Sequence, residues 1–134
     1  MDKLQASKKE IPRFLVTGIL AVATDYCSYL FLVNFFHIDF AKASSFILGS
    51  CVAFILNKCW TFESDRKASA TLMPFAILYS TTFLVNVGLN HFSLVYISEI
   101  KTFAFIIATS ASTILNFIGM KFWVFKANPS QGSY

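Results

Sequence analysis

The apolar positions of this chain fall into four long blocks, and nearly every charged residue lies between or at the edges of them. The blocks run from about Phe14 to Phe36, Phe40 to Trp60, Met73 to Ile97 and Thr102 to Phe125. Each matches the roughly 20 residues that a helix needs to cross about 30 Å of hydrocarbon. The pattern predicts an all-α polytopic membrane protein with four transmembrane helices. The links around His37-Ile38-Asp39 and around Ser98-Glu99-Ile100-Lys101 permit nothing larger than tight turns, so the helices they join are antiparallel. Ala21-Val22-Ala23 imitates the cleavage site of a signal peptide. The apolar run continues well past Ala23, however, and pairs with the second block as a hairpin, so the first block is read as a span.

Flanking the membrane domain at 13–126 are an N-terminal segment, 1–12, and a tail, 127–134. The first is read as either a short interfacial helix or a frayed end. The second, with Pro129, Ser130 and Gly132, reads as disordered.

Composition agrees with the pattern. Of 134 residues 56% are hydrophobic and 13% charged, against about half and about a quarter in soluble domains. The net charge of +4 is distributed as a topology signal. Lys3, Lys8, Lys9 and Arg13 precede the first block, Lys58, Arg66 and Lys67 end or follow the second, and Lys121 and Lys126 close the fourth. Only Lys42 and Lys101 fall on the other side. Lys and Arg in short loops stay cytoplasmic, so both termini and the central loop are expected on the cytoplasmic side of the cell's inner membrane. There is no basic run, aromatic-interleaved strand or helix-turn-helix pattern, and no nucleic-acid partner is expected. Cys27, Cys51 and Cys59 lie inside apolar blocks, without disulfide or metal spacing, and are expected to act as small buried hydrophobes. With no nucleophile beside a base, no metal cluster and no glycine-rich phosphate loop, neither enzymatic activity nor a cofactor or metal is expected.

The chain also repeats itself. Phe54-Ile55-Leu56-Asn57-Lys58-Cys59-Trp60-Thr61-Phe62 and Phe117-Ile118-Gly119-Met120-Lys121-Phe122-Trp123-Val124-Phe125 both fit F-x-x-x-K-x-W-x-F, at an offset of 63 that also places Asn116 opposite Ala53. An offset of 61 aligns Phe14 with Phe75 and Asp25 with Asn86. The four helices are therefore expected to be two duplicated hairpins of the same orientation, related by an axis along the membrane normal. Trp60 and Trp123, each beside a lysine, also suit interfacial anchors.

From Arg13 to Phe125 the chain resembles the GtrA-like membrane proteins. The resemblance rests on Arg13-Phe14 followed by Gly18, on Asn57-Lys58-Cys59-Trp60-Thr61-Phe62, and on Asn116-Phe117 leading to Lys121-Phe122-Trp123-Val124-Phe125. That family usually carries Arg where Lys58 and Lys121 stand, and Asn or Gly in place of Met120. The resemblance implies translocation of a polyprenyl-phosphate-linked sugar from the cytoplasmic to the outer leaflet, for cell-surface polysaccharide synthesis or glycosylation. It implies a membrane glycosyltransferase as partner.

Such a substrate requires a cationic site at the cytoplasmic headgroup level and a polar route through the bilayer. Arg13, Lys58 and Lys121 lie at similar depth and, with Asn57, are the candidate phosphate ligands; each also fits a snorkelling anchor. Asp25 sits near the middle of the first helix, where an ionised carboxylate costs at least about 2.5 kcal/mol. Asn86, Asn90 one turn further on the same face, and Asn116 extend the polar path, and hydrogen bonding between helices accounts for the Asn residues equally well. His91 points about 100 degrees away from Asn90. Gly18, Ala21 and Asp25, and Ser45, Gly49, Ala53 and Asn57, are spaced for close helix packing. The sixteen Phe residues suit contact with membrane lipids or an isoprenoid chain.

Four short helices enclose little space, so a homo-oligomer, first of all a dimer, or a complex with the glycosyltransferase is expected. Two other functions fit the sequence, a proton-coupled exporter of small cations built on Asp25 and a non-transporting membrane partner of a glycosyltransferase.

Overall fold

A long helix followed by a shorter one that ends in a wide turn occurs twice along the chain. The computed structural model describes residues 3–126. The tail read as disordered, 127–134, lies outside the described residues. Helix α1 (Lys3–Leu32) precedes α2 (Ile38–Leu56), which runs into a π-helical turn at Asn57–Thr61; α3 (Ala68–Tyr96) precedes α4 (Lys101–Gly119), which runs into a second π turn at Met120–Val124. Two compact units result, residues 1–64 and 65–134. In each the two helices pack against one another as an antiparallel hairpin.

Among the described residues four helices are long and apolar enough to span a membrane, over Lys8–Leu32, Phe40–Thr61, Ala68–Tyr96 and Lys101–Val124. Many large apolar side chains are exposed along them, among them Ile19, Phe31, Phe83, Leu84 and Phe105, as lipid-facing surfaces require.

The hydrophobic blocks locate these spans but not the helix ends. α1 starts at Lys3 rather than near Phe14, so residues 3–12 are helical and continuous with the first span. α3 likewise starts at Ala68, five residues before Met73. Apolarity marks where lipid begins, whereas backbone hydrogen bonding continues through good helix formers such as Gln5, Ala6, Lys8 and Glu10. α1 stops at Leu32, four residues before Phe36, because Asn34 Nδ2 donates to the carbonyls of Leu30 and Phe31 and closes the last turn.

Within each unit one small-residue stripe carries the packing. Ala41, Ser45, Gly49, Ala53, Asn57 and Thr61 form it on α2, all buried, and their counterparts 63 positions on are Ala104, Ala108, Ser112, Asn116, Met120 and Val124, buried except for half-buried Asn116. A strict spacing of four drifts around a regular helix, and the wide final turn brings Thr61 and Val124 back into line with the stripe. The helix backbones approach closely at Gly49, where an added Cβ would lie 2.8 Å from the Ala21 carbonyl oxygen and 3.0 Å from Asp25 Cβ. On α1 the stripe expected through Gly18 needs correcting. Gly18 is exposed with nothing near it, while Thr17, fully buried, takes the contact. Cys27, Cys51 and Cys59 are free and exposed rather than buried. A thiol is apolar enough to face lipid as readily as a core.

Candidate functional site

The repeated lysine motif forms the π turns. In the first unit the Phe62 N–H bonds to the Asn57 carbonyl five residues back at 3.0 Å, and the Ser64 N–H to the Lys58 carbonyl at 2.7 Å. Between them Glu63 holds a left-handed backbone with φ of 45°, a conformation that costs a non-glycine residue about 1 kcal/mol. It turns the carboxylate toward α1. Arg13 Nη1 donates to Glu63 Oε1 at 2.7 Å and to the Trp60 carbonyl at 2.8 Å, with its guanidinium 5.4 Å from the Trp60 ring centroid. Lys9 adds a second ion pair to Glu63 at 3.2 Å. Thr17 and Thr61 share a buried hydroxyl hydrogen bond at 3.1 Å.

Lys58 Nζ donates to the Ser64 carbonyl at 3.2 Å. Asn57 is 2% exposed, and its buried Oδ1 meets no hydrogen-bond donor. Trp60 remains 37% exposed at the end of α2, as an interfacial anchor would be.

Hydrogen bonding by Arg13, then by Lys9, holds the Glu63 carboxyl below its ordinary pKa of 4.5. A depressed carboxylate stabilises the fold above its unfolded pKa, and that contribution is lost as pH falls through the folded value. Acidification below 4.5 is therefore expected to release Arg13 from the turn and change Trp60 fluorescence. Glu63→Gln should abolish that acid transition while leaving the protein folded at neutral pH. The effect is small, because Glu63 is exposed.

The second unit repeats the arrangement with different residues. The Phe125 N–H bonds to the Met120 carbonyl at 2.8 Å. Arg66 Nη1 donates to the carbonyls of Trp123 and Val124, both at 2.9 Å. Lys121 Nζ lies 5.8 Å from the Phe117 ring centroid and 5.7 Å from that of Phe122, within cation–π range. Trp123 is exposed.

Asp25, Asn86 and Asn116 are drawn into helix pairing. Asp25 receives Lys42 Nζ on both oxygens at 3.1 and 3.0 Å and the Ser45 hydroxyl at 2.6 Å. In the second unit Asn86 Nδ2 donates to Ser112 Oγ at 3.0 Å, and the Thr82 hydroxyl donates to Asn116 Oδ1 at 2.7 Å. Asn90 is half-buried and His91 exposed. Among the described residues no three His, Cys, Asp or Glu side chains gather as a metal site.

Of the candidate phosphate ligands, Arg13, Lys58 and Asn57 meet at one end of the first unit and Lys121 stands at the π turn of the second. Sequence reasoning missed three residues. Lys42 was legible, because a turn near Val33 and Asn34 folds Asp25 against it. Arg66 was not, since it precedes α3 whereas Arg13 lies within α1, and no single offset aligns them. Glu63 carries no signal beyond its charge.

The family model described as GtrA/DPMS, transmembrane domain, matches residues 13–125. The chain is also similar to a protein of Bacillus subtilis (strain 168) named "Uncharacterized membrane protein YwcD", 19% identical over an alignment of 125 residues, with 89% of this chain and 98% of the relative covered. No solved structure matches.

Proposed function

From the premise that this chain belongs to the GtrA/DPMS transmembrane-domain family, and is thus a multi-pass membrane protein, we propose that it translocates a polyprenyl-phosphate-linked monosaccharide across the cytoplasmic membrane, for cell-surface polysaccharide synthesis or glycosylation. One observation supports this most. In each unit the K-x-W-x-F motif forms a π turn, a feature frequent at functional sites, whose Trp carbonyl is held by an arginine and which presents a lysine beside it. Lys58 and Lys121 are the phosphate-holding groups in this reading, because an ammonium is a compact partner for phosphate oxygens. Arg13 and Arg66 set the shape of the turns. Asn57 acts beneath its turn, since its side chain is almost wholly buried.

One-sided basic charge supports cytoplasmic termini, and no covalent chemistry is assigned to the chain. A second copy or a membrane glycosyltransferase completes the path for the sugar headgroup. The cation-exporter reading loses support because the Asp25 carboxylate already carries Lys42. Translocation of the lipid by the purified chain in vesicles tests the proposal, and would exclude a purely scaffolding role.

A further inference from the structure

The Asp25–Lys42 ion pair has no role in the π turn of the first unit. It joins α1 to α2 beyond Gly49, toward the opposite end of the hairpin, where Lys42 follows the first turn of α2. Packing alone does not call for charge at such a joint. The residue 61 positions after Asp25, Asn86, joins α3 to α4 with an uncharged bond to Ser112. Ionisable groups within a span are costly and mark ligand or ion pathways.

The pair is also oriented. The Asp25 side chain is 22% exposed and Lys42 58%, so the anion lies inward, fixed by the Ser45 hydroxyl, and the cation outward. The Tyr29 ring centroid lies 5.7 Å from Nζ. Two Lys42 donors go to Asp25, and an ammonium has three. The positive end of the α2 dipole lies close by and favours an anion there.

We infer that Lys42, held in place by Asp25 and Ser45, is a binding site for the phosphate of a lipid headgroup at the end of the first unit opposite its π turn. Such a site would receive the phosphate after passage through the membrane, so the inference rests on the translocation reading and supplies its release side. Asp25 is a positioning residue here. It holds the ammonium in place through both carboxylate oxygens, and Lys42 alone touches the phosphate.

Binding of polyprenyl phosphate to the full chain in phosphatidylcholine nanodiscs tests this in a background of Lys58→Gln and Lys121→Gln, which removes the ammonium groups of the π turns, compared among chains with wild-type Asp25 and Lys42, with Lys42→Gln and Asp25→Asn, and with Lys42→Arg. The double variant imitates the neutral joint of the second unit and should fold with unchanged helical circular dichroism. It is expected to bind about tenfold more weakly, as loss of one charge-assisted bond to phosphate implies, whereas Lys42→Arg binds as wild type. Equal binding by the double variant overturns the inference. Competition by inorganic phosphate at the concentration of the lipid overturns the assignment to a lipid headgroup. Weaker binding in the double variant, together with no translocation by the wild type, leaves the site standing and sinks the translocation reading alone.

Discussion

Lys58→Gln combined with Lys121→Gln is expected to reduce translocation of a polyprenyl-phosphate-linked sugar by at least about tenfold, with normal insertion and helicity. A hydrogen bond between a charged group and phosphate contributes about 1.5–3 kcal/mol, so losing either lysine is felt and losing both is felt more. The folded state depends little on Lys58. Lys58 makes one bond to a loop carbonyl, and Lys121 lies against two exposed or half-exposed rings. Lys58→Arg with Lys121→Arg should retain activity, because the charge and reach persist. Transport in membrane vesicles, with protein amount measured alongside, separates lost function from lost protein.

The largest effect on stability is expected at Gly49. Gly49→Ala places a methyl 2.8 Å from a backbone carbonyl oxygen of α1, which cannot rotate aside as a side chain would. Separation of α1 from α2 should follow, at a cost of about 1–3 kcal/mol, and should weaken the Asp25–Lys42 and Asp25–Ser45 contacts one turn away. Gly18→Ala is the control. Nothing lies within reach of its added Cβ, and alanine gains up to about 1 kcal/mol of helix propensity over glycine. Thermal unfolding in detergent should place the two variants on opposite sides of the wild type.

Hydrophobic length predicted the number of spans, and the tight turns predicted which helices pair, because both follow from the bilayer's thickness and the reach of short links. Helix ends were less legible. Lys3 to Pro12 looks polar, yet forms helix, since water and lipid both permit a backbone that satisfies its own hydrogen bonds. The stripe from Ser45 to Asn57 was readable from small residues at one spacing. Its partner on α1 was readable at Ala21 and Asp25 but not at Gly18, which is smaller than Thr17 but lies on the wrong face. The π turns leave no mark in residue type. Five-residue hydrogen bonding at Phe62 and Phe125 is accompanied by Arg13 and Arg66, each far along the chain from the turn whose carbonyls it holds, contacts that local pattern does not carry. Repetition of the motif was nevertheless the sign that its two copies take the same backbone form.

The central claim is translocation by this chain, and one measurement meets it directly. Purified protein is reconstituted into phosphatidylcholine vesicles holding a fluorescent polyprenyl-phosphate-linked sugar, and the fraction of lipid open to a membrane-impermeant quencher is followed with time. Rapid exposure of the inner-leaflet lipid, slowed at least about tenfold by Lys58→Gln with Lys121→Gln, is the expected result. A rate equal to that of protein-free vesicles, with helicity intact and the protein inserted, would contradict it.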